Sequence, residues 1–344
     1  MVYIPRSKPL LCCTAVLSFA LVSTLAAQSI PHSRTLPSFA QGAYLGSASS
    51  FPFGRDGGRA QYWIRADQVG LPGAIRSIGS RPSNNYTGAA RTQSYEVQGA
   101  LTTLTYSNFT NVFASNLGAT SKVLHARKNV SIPATSGSDP DAYAAQIALD
   151  APLIIVPGMN LVLDFDLGSA VGASSAPYNS DLLVLSSSKH ISSDANCGGT
   201  LTASSTSGNY NLSLSGAAPQ AAALFMLSAS HTYWGPIALP FKLDAIGLNG
   251  CLLGVDPQIN VGLLTNASGN ASLSIPFTPP AEAPVIYAQV LHLDATAPTK
   301  LATSNVTRSI LAGTGFCRYI YNFTQDGTTA QNGPYEWQAA LMVK

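Results

Sequence analysis

The stretch Asn160-Leu-Val-Leu-Asp-Phe-Asp-Leu167 decides the fold class of this chain of 344 residues. Its large apolar side chains occupy every second position, and these are Leu161, Leu163, Phe165 and Leu167. The positions between them carry Val162, Asp164 and Asp166. Successive side chains of an extended strand point to opposite faces, so this alternation predicts a β-strand. We expect the apolar face to lie in a core and the face with the two carboxylates to meet solvent.

The same kind of alternation recurs along the chain, in segments 93–106, 121–132, 181–187, 210–214, 271–275 and 285–293. In 285–293 both sets of alternate positions carry apolar residues, which predicts a central strand buried on both faces. Helical signals are weak. Segment 66–69 suggests one short helical turn, and the alanine-rich segment 217–230 fits a helix or a buried strand equally well. The predicted fold class is therefore all-β.

The composition supports this fold class and excludes one class of partner. Charged residues make up 10% of the chain, against roughly 25% in an ordinary soluble protein, so Ser, Thr, Asn and Gln must supply most of the polar surface. The 29 Gly and 22 Pro residues suit the many turns that short strands need. The formal net charge is +2, and the region after residue 30 has no run of Lys and Arg, which argues against nucleic-acid binding.

The first 30 residues have the pattern of a secretory signal peptide. Arg6 and Lys8 form a basic start, and segment 10–27 is apolar and ends in small residues. This pattern predicts a cleavable signal peptide over residues 1–27 and an extracellular or cell-surface location. The alternative is an uncleaved anchor, since about 18 apolar residues can just span a bilayer. After cleavage we expect no membrane span, because no second apolar segment of that length follows.

Cysteine usage predicts one disulfide bond. Removing the signal peptide leaves Cys197, Cys251 and Cys317, and an oxidising compartment favours a bridge. We pair Cys197 with Cys251, which closes a loop of roughly 55 residues and contributes about 3 to 4 kcal/mol in the chain-entropy account. Cys317 is then either a buried unpaired thiol, which we favour, or a nucleophile whose pKa the neighbouring Arg318 lowers.

A polar, glycine-rich stretch at 186–199 predicts a seam between two domains. We expect two β-sandwich domains of jelly-roll or immunoglobulin-like type, one at 30–188 and one at 196–312. The remaining segment, 313–344, is expected to be a C-terminal tail with one or two extra strands.

Six motifs follow one another within 196–312, and these are Cys197-Gly198, 212–224, Trp234-Gly-Pro-Ile-Ala-Leu-Pro240, Gly250-Cys-Leu-Leu253, 269–276 and 287–294. In this order they resemble a C-terminal module of uncharacterised secreted two-domain β-sandwich proteins of planctomycete-like bacteria. Both bridge candidates fall at the two cysteine positions of that family. The N-terminal half resembles the β domain that often precedes this module, whereas the tail with Cys317 departs from the pattern. The resemblance implies a secreted all-β architecture and no known activity.

Asp164 and Asp166 form the one candidate carboxylate pair, because side chains two apart on a strand face lie about 6 to 7 Å apart. Such a pair suits glycoside hydrolysis or, with loop carbonyls, Ca²⁺. We favour a solvated strand face without catalytic role. His292 and Asp294 share another strand face, with Ser272 or Ser274 as a nucleophile on paper, but no Gly-x-Ser-x-Gly elbow is present. The scattered histidines support no zinc site, so we predict no metal and no cofactor.

Three tryptophans, Trp63, Trp234 and Trp337, are candidates for a sugar-binding platform, although core or turn packing is the favoured interpretation. The leading functional hypothesis is a non-enzymatic structural or adhesive surface protein. A carbohydrate-binding module is the alternative, and a secreted hydrolase that uses the Asp pair ranks third. The expected partners are cell-wall or extracellular polysaccharide, or other surface proteins.

Overall fold

The computed structural model describes thirteen segments of the chain, which are residues 34–42, 44–70, 72–84, 87–136, 145–172, 179–184, 188–193, 197–206, 208–277, 285–294, 296–297, 299–311 and 315–344. The predicted signal peptide and parts of the 186–199 seam lie outside these residues. In the segments that are described, no helix is long and apolar enough to cross a membrane.

The described residues form 28 strands and a few short helices. The first eleven strands are β1 Arg34–Leu36, β2 Ser47–Ser49, β3 Gly58–Ile64, β4 Gly73–Ser80, β5 Thr87–Gly88, β6 Arg91–Thr102, β7 Lys122–Ile132, β8 Thr135–Ser136, β9 Ala145–Ile155, β10 Asn160–Gly172 and β11 Ser180–Val184. The next thirteen are β12 Lys189–Ser192, β13 Thr200–Thr206, β14 Asn209–Ser215, β15 Ala222–Ser228, β16 Tyr233–Trp234, β17 Ile237–Ala238, β18 Phe241–Lys242, β19 Leu252–Leu253, β20 Ile259–Leu264, β21 Ala271–Pro276, β22 Val285–Leu293, β23 Leu301–Thr303 and β24 Thr307–Ile310.

The last four strands are β25 Cys317–Asn322, β26 Asn332–Tyr335, β27 Trp337–Ala339 and β28 Leu341–Val343. The α-helices are α1 Ala66–Val69 and α2 Phe113–Leu117, and single 3₁₀ turns cover Ser38–Ala40, Tyr106–Asn108 and Asp244–Ile246. The all-β prediction is confirmed, and so is the helical turn at 66–69. Segment 217–230 contains the strand β15 rather than a helix.

A six-stranded antiparallel sheet with the order β26-β25-β3-β10-β6-β7 places β10 near its centre. The alternate apolar residues of β10 lie in the main hydrophobic core, as the sequence predicts. The opposite face, which we call the outer face, is not open to solvent, and this part of the prediction is wrong. Asp164 is 1% exposed and Asp166 is 7% exposed. The cause is a second, smaller core on that face, in which Phe113 of α2 and Val162 pack together.

The C-terminal half contains a second pair of sheets. One has the order β12-β24-β22-β15-β20 with β23 beside β22, and the other has the order β13-β14-β21. Leu212 of the smaller sheet and Phe225 of the larger one belong to the same buried cluster. The strand β22 lies between β24 and β15, which confirms the central position predicted for 285–293.

The tail supplies four strands rather than one or two, and they enter the sheets of the N-terminal half. β25 pairs with β3, β27 pairs with β11, and β28 lies between β1 and β4. Residues 33–344 form one compact unit. The division into two β-sandwich domains is therefore not confirmed.

The Cys197–Cys251 bridge is present, with a Cα–Cα distance of 5.0 Å and a sequence separation of 54. The sulfur of Cys197 also accepts a hydrogen bond from the backbone N–H of Thr303 at 3.1 Å. Cys317 is buried and carries no disulfide. Burial raises the pKa of the Cys317 thiol well above its ordinary value, which keeps it protonated and disfavours the nucleophile interpretation.

We expect replacement of both Cys197 and Cys251 by Ala to lower the free energy of unfolding by about 4 kcal/mol, because the unfolded chain loses a long closed loop. Urea denaturation measures this difference. The wild type in reductant should fall to the value of the variant, whereas reductant should leave the variant unchanged. Equal urea midpoints for variant and wild type would contradict the prediction.

Candidate functional site

Polar side chains lie side by side across the outer face of the six-stranded sheet. The antiparallel register sets Asp166 between Arg59 of β3 and Glu96 of β6, and it sets Asp164 between Gln61 and Gln98. Because residues opposite each other on one face have neighbouring Cβ atoms, the register alone brings these groups into contact. Three strands that are remote in sequence thus build one polar layer.

The deep part of this layer centres on Asp164. The Nε of Arg59 donates to Asp164 Oδ1 at 2.9 Å and its Nη2 donates to Oδ2 at 3.2 Å, which makes a bidentate pair. Gln61 donates to Oδ2 at 2.5 Å and also to the backbone carbonyl of Phe113 at 3.1 Å. Asn116 of α2 donates to the side-chain oxygen of Gln61 at 2.8 Å. Burial raises the pKa of Asp164, and the charge of Arg59 opposes that shift.

The open end of the layer holds Asp166, Asp326, Glu96 and Arg127, which we call the acidic edge. Arg127 Nη2 lies 2.9 Å from a carboxylate oxygen of Asp166 and 3.1 Å from one of Asp326, and its Nε lies 4.0 Å from Glu96. The backbone N–H of Asp326 donates to Asp166 at 3.2 Å. The side chain of Asp326 is 72% exposed, against 10% for Asp166. Ligand access therefore increases from Asp164 outward.

The pKa of Asp166 is raised to about 6. Burial is the largest cause, and the neighbouring Asp326 carboxyl raises it further, because two like charges at short range disfavour ionisation. Arg127 and the Asp326 backbone N–H act in the opposite direction. Asp166 therefore exchanges a proton in the mildly acidic range.

An aromatic ladder consists of Phe323, Tyr321, Tyr335 and Trp337, and the last three pack against the main core rather than on the outer face. The ring centroids of Tyr335 and Trp337 lie 4.4 Å apart in a stacked arrangement, and those of Tyr321 and Phe323 lie 5.1 Å apart. Phe323 follows the end of β25 and is 47% exposed. The Arg55 guanidinium lies 4.2 Å from the Phe323 ring centroid. Neighbouring rings cover most of the ladder, so Phe323 is its accessible end.

The three tryptophans have different surroundings. Trp63 is 2% exposed, and its indole N–H donates to the carbonyl of Leu104 at 2.8 Å, so it cannot stack on a ligand at the surface. Trp337 is half-buried in the aromatic ladder. Trp234 is 44% exposed in the hairpin formed by β16 and β17. The structure therefore assigns Trp63 to the core and leaves Trp234 as the exposed member of the three.

His292 does not form a catalytic triad with Asp294. The ring nitrogens of His292 lie 3.0 Å from the carbonyl oxygen of Gly198 and 3.2 Å from that of Leu293. The Asp294 carboxylate instead accepts hydrogen bonds from the backbone N–H and hydroxyl of Thr296 at 2.8 and 2.6 Å.

A cleft of about 410 Å³ lies elsewhere in the molecule, and Asp67, Ser230, His231 and Tyr287 contribute to its lining. The rings of His231 and Tyr287 stack at 4.2 Å. Burial, aided by the charge of Arg308, lowers the pKa of His231 to about 3, so its ring is neutral at ordinary pH. Asp67 is paired with Arg65 at 2.6 Å. The charge of Asp67 is thus compensated by a neighbouring arginine, and His231 carries no charge at ordinary pH.

Within the described ranges, no three His, Cys, Asp or Glu residues are grouped so that they could hold a metal ion. The arginines explain why the Asp pair does not suit Ca²⁺. Arg59 takes both oxygens of Asp164, and Arg127 takes one oxygen of Asp166. A cation would have to displace these guanidinium groups from their carboxylates.

No protein-family model matches the sequence, and no curated protein matches it either. Among solved structures, a β-1,2-glucanase from Parabacteroides distasonis aligns with 10% identity and a TM-score of 0.15, over 73% of this chain and 28% of that enzyme. A Penaeus vannamei nodavirus chain aligns with 11% identity and a TM-score of 0.11, over 74% of this chain and 81% of the viral chain. Both TM-scores are too low to carry an argument about fold or function. The resemblance to bacterial secreted proteins stays a prediction.

Replacing Arg59 by Met should destabilise the protein by about 3 kcal/mol or more, because Asp164 would be left as a buried unpaired carboxylate. Urea denaturation at pH 7 measures the loss. Arg55→Met is the matched control, since Arg55 contacts the exposed Phe323 ring and leaves no buried charge behind. An equal loss in both variants would show that the ion pair has no special importance for stability.

The raised pKa of Asp166 predicts a specific pH dependence of stability. Between its ordinary value of 3.8 and about 6, the folded state binds this proton more tightly than the unfolded state. The contribution of Asp166 to the free energy of unfolding is therefore present at pH 4 and is lost as the pH rises through 6, by about 2 kcal/mol or less.

Asp166→Asn should remove this dependence, because the amide stays neutral at every pH. Urea denaturation at pH 4, 5, 6 and 7 measures the slope for both proteins. Asp294→Asn is the control, since hydrogen bonds from Thr296 lower the pKa of Asp294 below 3.8, so this variant should keep the wild-type slope between pH 4 and 7. Identical pH profiles for wild type and Asp166→Asn would refute the prediction.

Proposed function

We propose that the protein is an exported adhesive β protein that binds extracellular polysaccharide at the acidic edge and Phe323. The observation that carries this proposal is that one connection exposes both an aromatic ring and a carboxylate. Phe323 and Asp326 lie in the same short connection after β25, and both are exposed. Asp326 follows Phe323 by three positions in the sequence.

The chemistry of the two groups suits a carbohydrate. Carboxylates and a guanidinium offer strong charge-assisted hydrogen bonds to vicinal hydroxyl groups, and the exposed part of an aromatic ring offers apolar contact to the C–H face of a sugar. Asp326 and Arg127 are already held in place by Asp166, so they lose little further freedom on binding. The ring of Tyr321 packs against Phe323 and restricts its movement.

A secreted hydrolase is the second candidate, and the raised pKa of Asp166 favours it. A carboxyl group with a pKa near 6 suits a general acid at neutral pH. Asp164 is a poor second catalytic group, because Arg59 and Gln61 occupy its oxygens and it is 1% exposed. Asp326 would then have to act as the second carboxylate.

Glycan-array screening and cell-wall pull-down on the purified protein test the proposal. The dissociation constant for the best glycan should rise about tenfold in Phe323→Ala, which corresponds to about 1.4 kcal/mol of lost contact, and it should also rise in Asp326→Asn. Trp234→Ala is the matched control, because this exposed aromatic lies in a different hairpin.

Three results would count against binding at this site. Loss of binding in Trp234→Ala alone would move the site to the β16–β17 hairpin. No glycan binding would contradict the adhesive function on polysaccharide. Release of reducing sugar ends that stops in Asp166→Asn would replace the binding function by the hydrolase.

A further inference from the structure

His190 joins two serine hydroxyls that come from different sheets. Its Nδ1 lies 2.9 Å from the Oγ of Ser309, and its Nε2 lies 2.9 Å from the Oγ of Ser205. The Oγ of Ser309 lies 3.1 Å from the hydroxyl of Tyr210. The four side chains form one continuous chain of hydrogen bonds.

The positions of these residues follow from the strand register. His190 stands opposite Ser309 where β12 pairs with β24, and Ser205 stands opposite Tyr210 where β13 pairs with β14. β12 and β13 are edge strands of the two sheets in the C-terminal half. The imidazole therefore crosses from one sheet edge to the other.

Exposure differs along this chain of hydroxyls. Ser309 is 0% exposed and Tyr210 is 1% exposed, so the inner end is fixed within the protein. His190 and Ser205 are half-buried. Ser205 is thus partly accessible from solvent, whereas Ser309 is not.

The arrangement has the parts that activate a hydroxyl nucleophile, which are a nucleophile, a base within hydrogen-bond reach, and a third group that orients the base. When Nδ1–H donates to Ser309, the lone pair of Nε2 points to the Ser205 hydroxyl. Burial lowers the pKa of His190, so the imidazole is neutral and able to accept a proton at neutral pH.

We propose that Ser205 is a nucleophile that His190 activates, and that it reacts with small carboxylic esters. This activity goes beyond the proposed binding function and does not depend on it. The Ser205 oxygen bonds to the ester carbonyl carbon while its proton moves to Nε2 of His190. The bond from that carbon to the alcohol oxygen then breaks, and the alcohol takes the proton from Nε2. Water, deprotonated by His190, releases the acid and restores Ser205.

Labelling with a fluorophosphonate probe tests the proposal on the purified full chain, with peptide mass spectrometry to locate the label. We expect the label on Ser205 and none in Ser205→Ala. Ser204→Ala is the matched control and should label like the wild type, because its side chain alternates to the other strand face. His190→Gln should slow labelling at least a hundredfold, in the range of a lost general base.

The labelling rate should also fall at acidic pH, where His190 becomes protonated. Ser309→Ala removes the group that orients the imidazole and should slow labelling severalfold, and its thermal midpoint shows that the variant is still folded at the labelling temperature. No label, a label on another serine, or equal rates in wild type and His190→Gln would each overturn the proposal. Those results would leave His190 as a hydrogen-bonded link between the two sheets. Hydrolysis of p-nitrophenyl acetate that disappears in Ser205→Ala would support it independently.

Discussion

The buried ion pair between Arg59 and Asp164 is the constraint on which the N-terminal half depends. A charge at the centre of a sheet is stable only when it is fully paired, so the strands β3 and β10 must keep a register that brings the two groups together. Gln61 and Asn116 satisfy the remaining hydrogen bonds and tie the helix α2 to the sheet. Phe113 and Leu117 of this helix are members of the second core.

Local alternation predicted the strands well, since the side-chain period of two is a property of the strand itself. It could not predict what covers each face. Asp164 lies 105 positions from Arg59 in sequence, and the helix that shields it belongs to a different connection. The alternation with apolar residues predicted that this carboxylate meets solvent. The remote arginine allows it to be buried instead, because the two charges pair. For the same reason the sequence did not predict where the tail packs, because β25 pairs with β3, which lies near the other end of the chain.

The candidate site was predicted only in part for the same reason. Asp166 was visible as one of a carboxylate pair, but Arg127 comes from β7 and Asp326 from a turn near the C-terminus. No short motif contains all three residues. One disulfide was expected from the cysteine count and the predicted compartment, and the structure confirms the pairing of Cys197 with Cys251, whereas the exposure of each tryptophan needed the packed structure.

The chemistry open to a histidine or aspartate in this protein depends more on the partner of its side chain than on the residue type. His292 and His190 both lie on strands of the same sheet, but both ring nitrogens of His292 meet backbone carbonyls, whereas those of His190 meet hydroxyl groups that can exchange a proton. Asp164 and Asp166 differ in the same way. Arg59 holds Asp164 in a bidentate pair, whereas the guanidinium that contacts Asp166 also contacts the exposed Asp326. In both comparisons, the group that can exchange a proton is the one whose partner is a hydroxyl group or an exposed carboxylate.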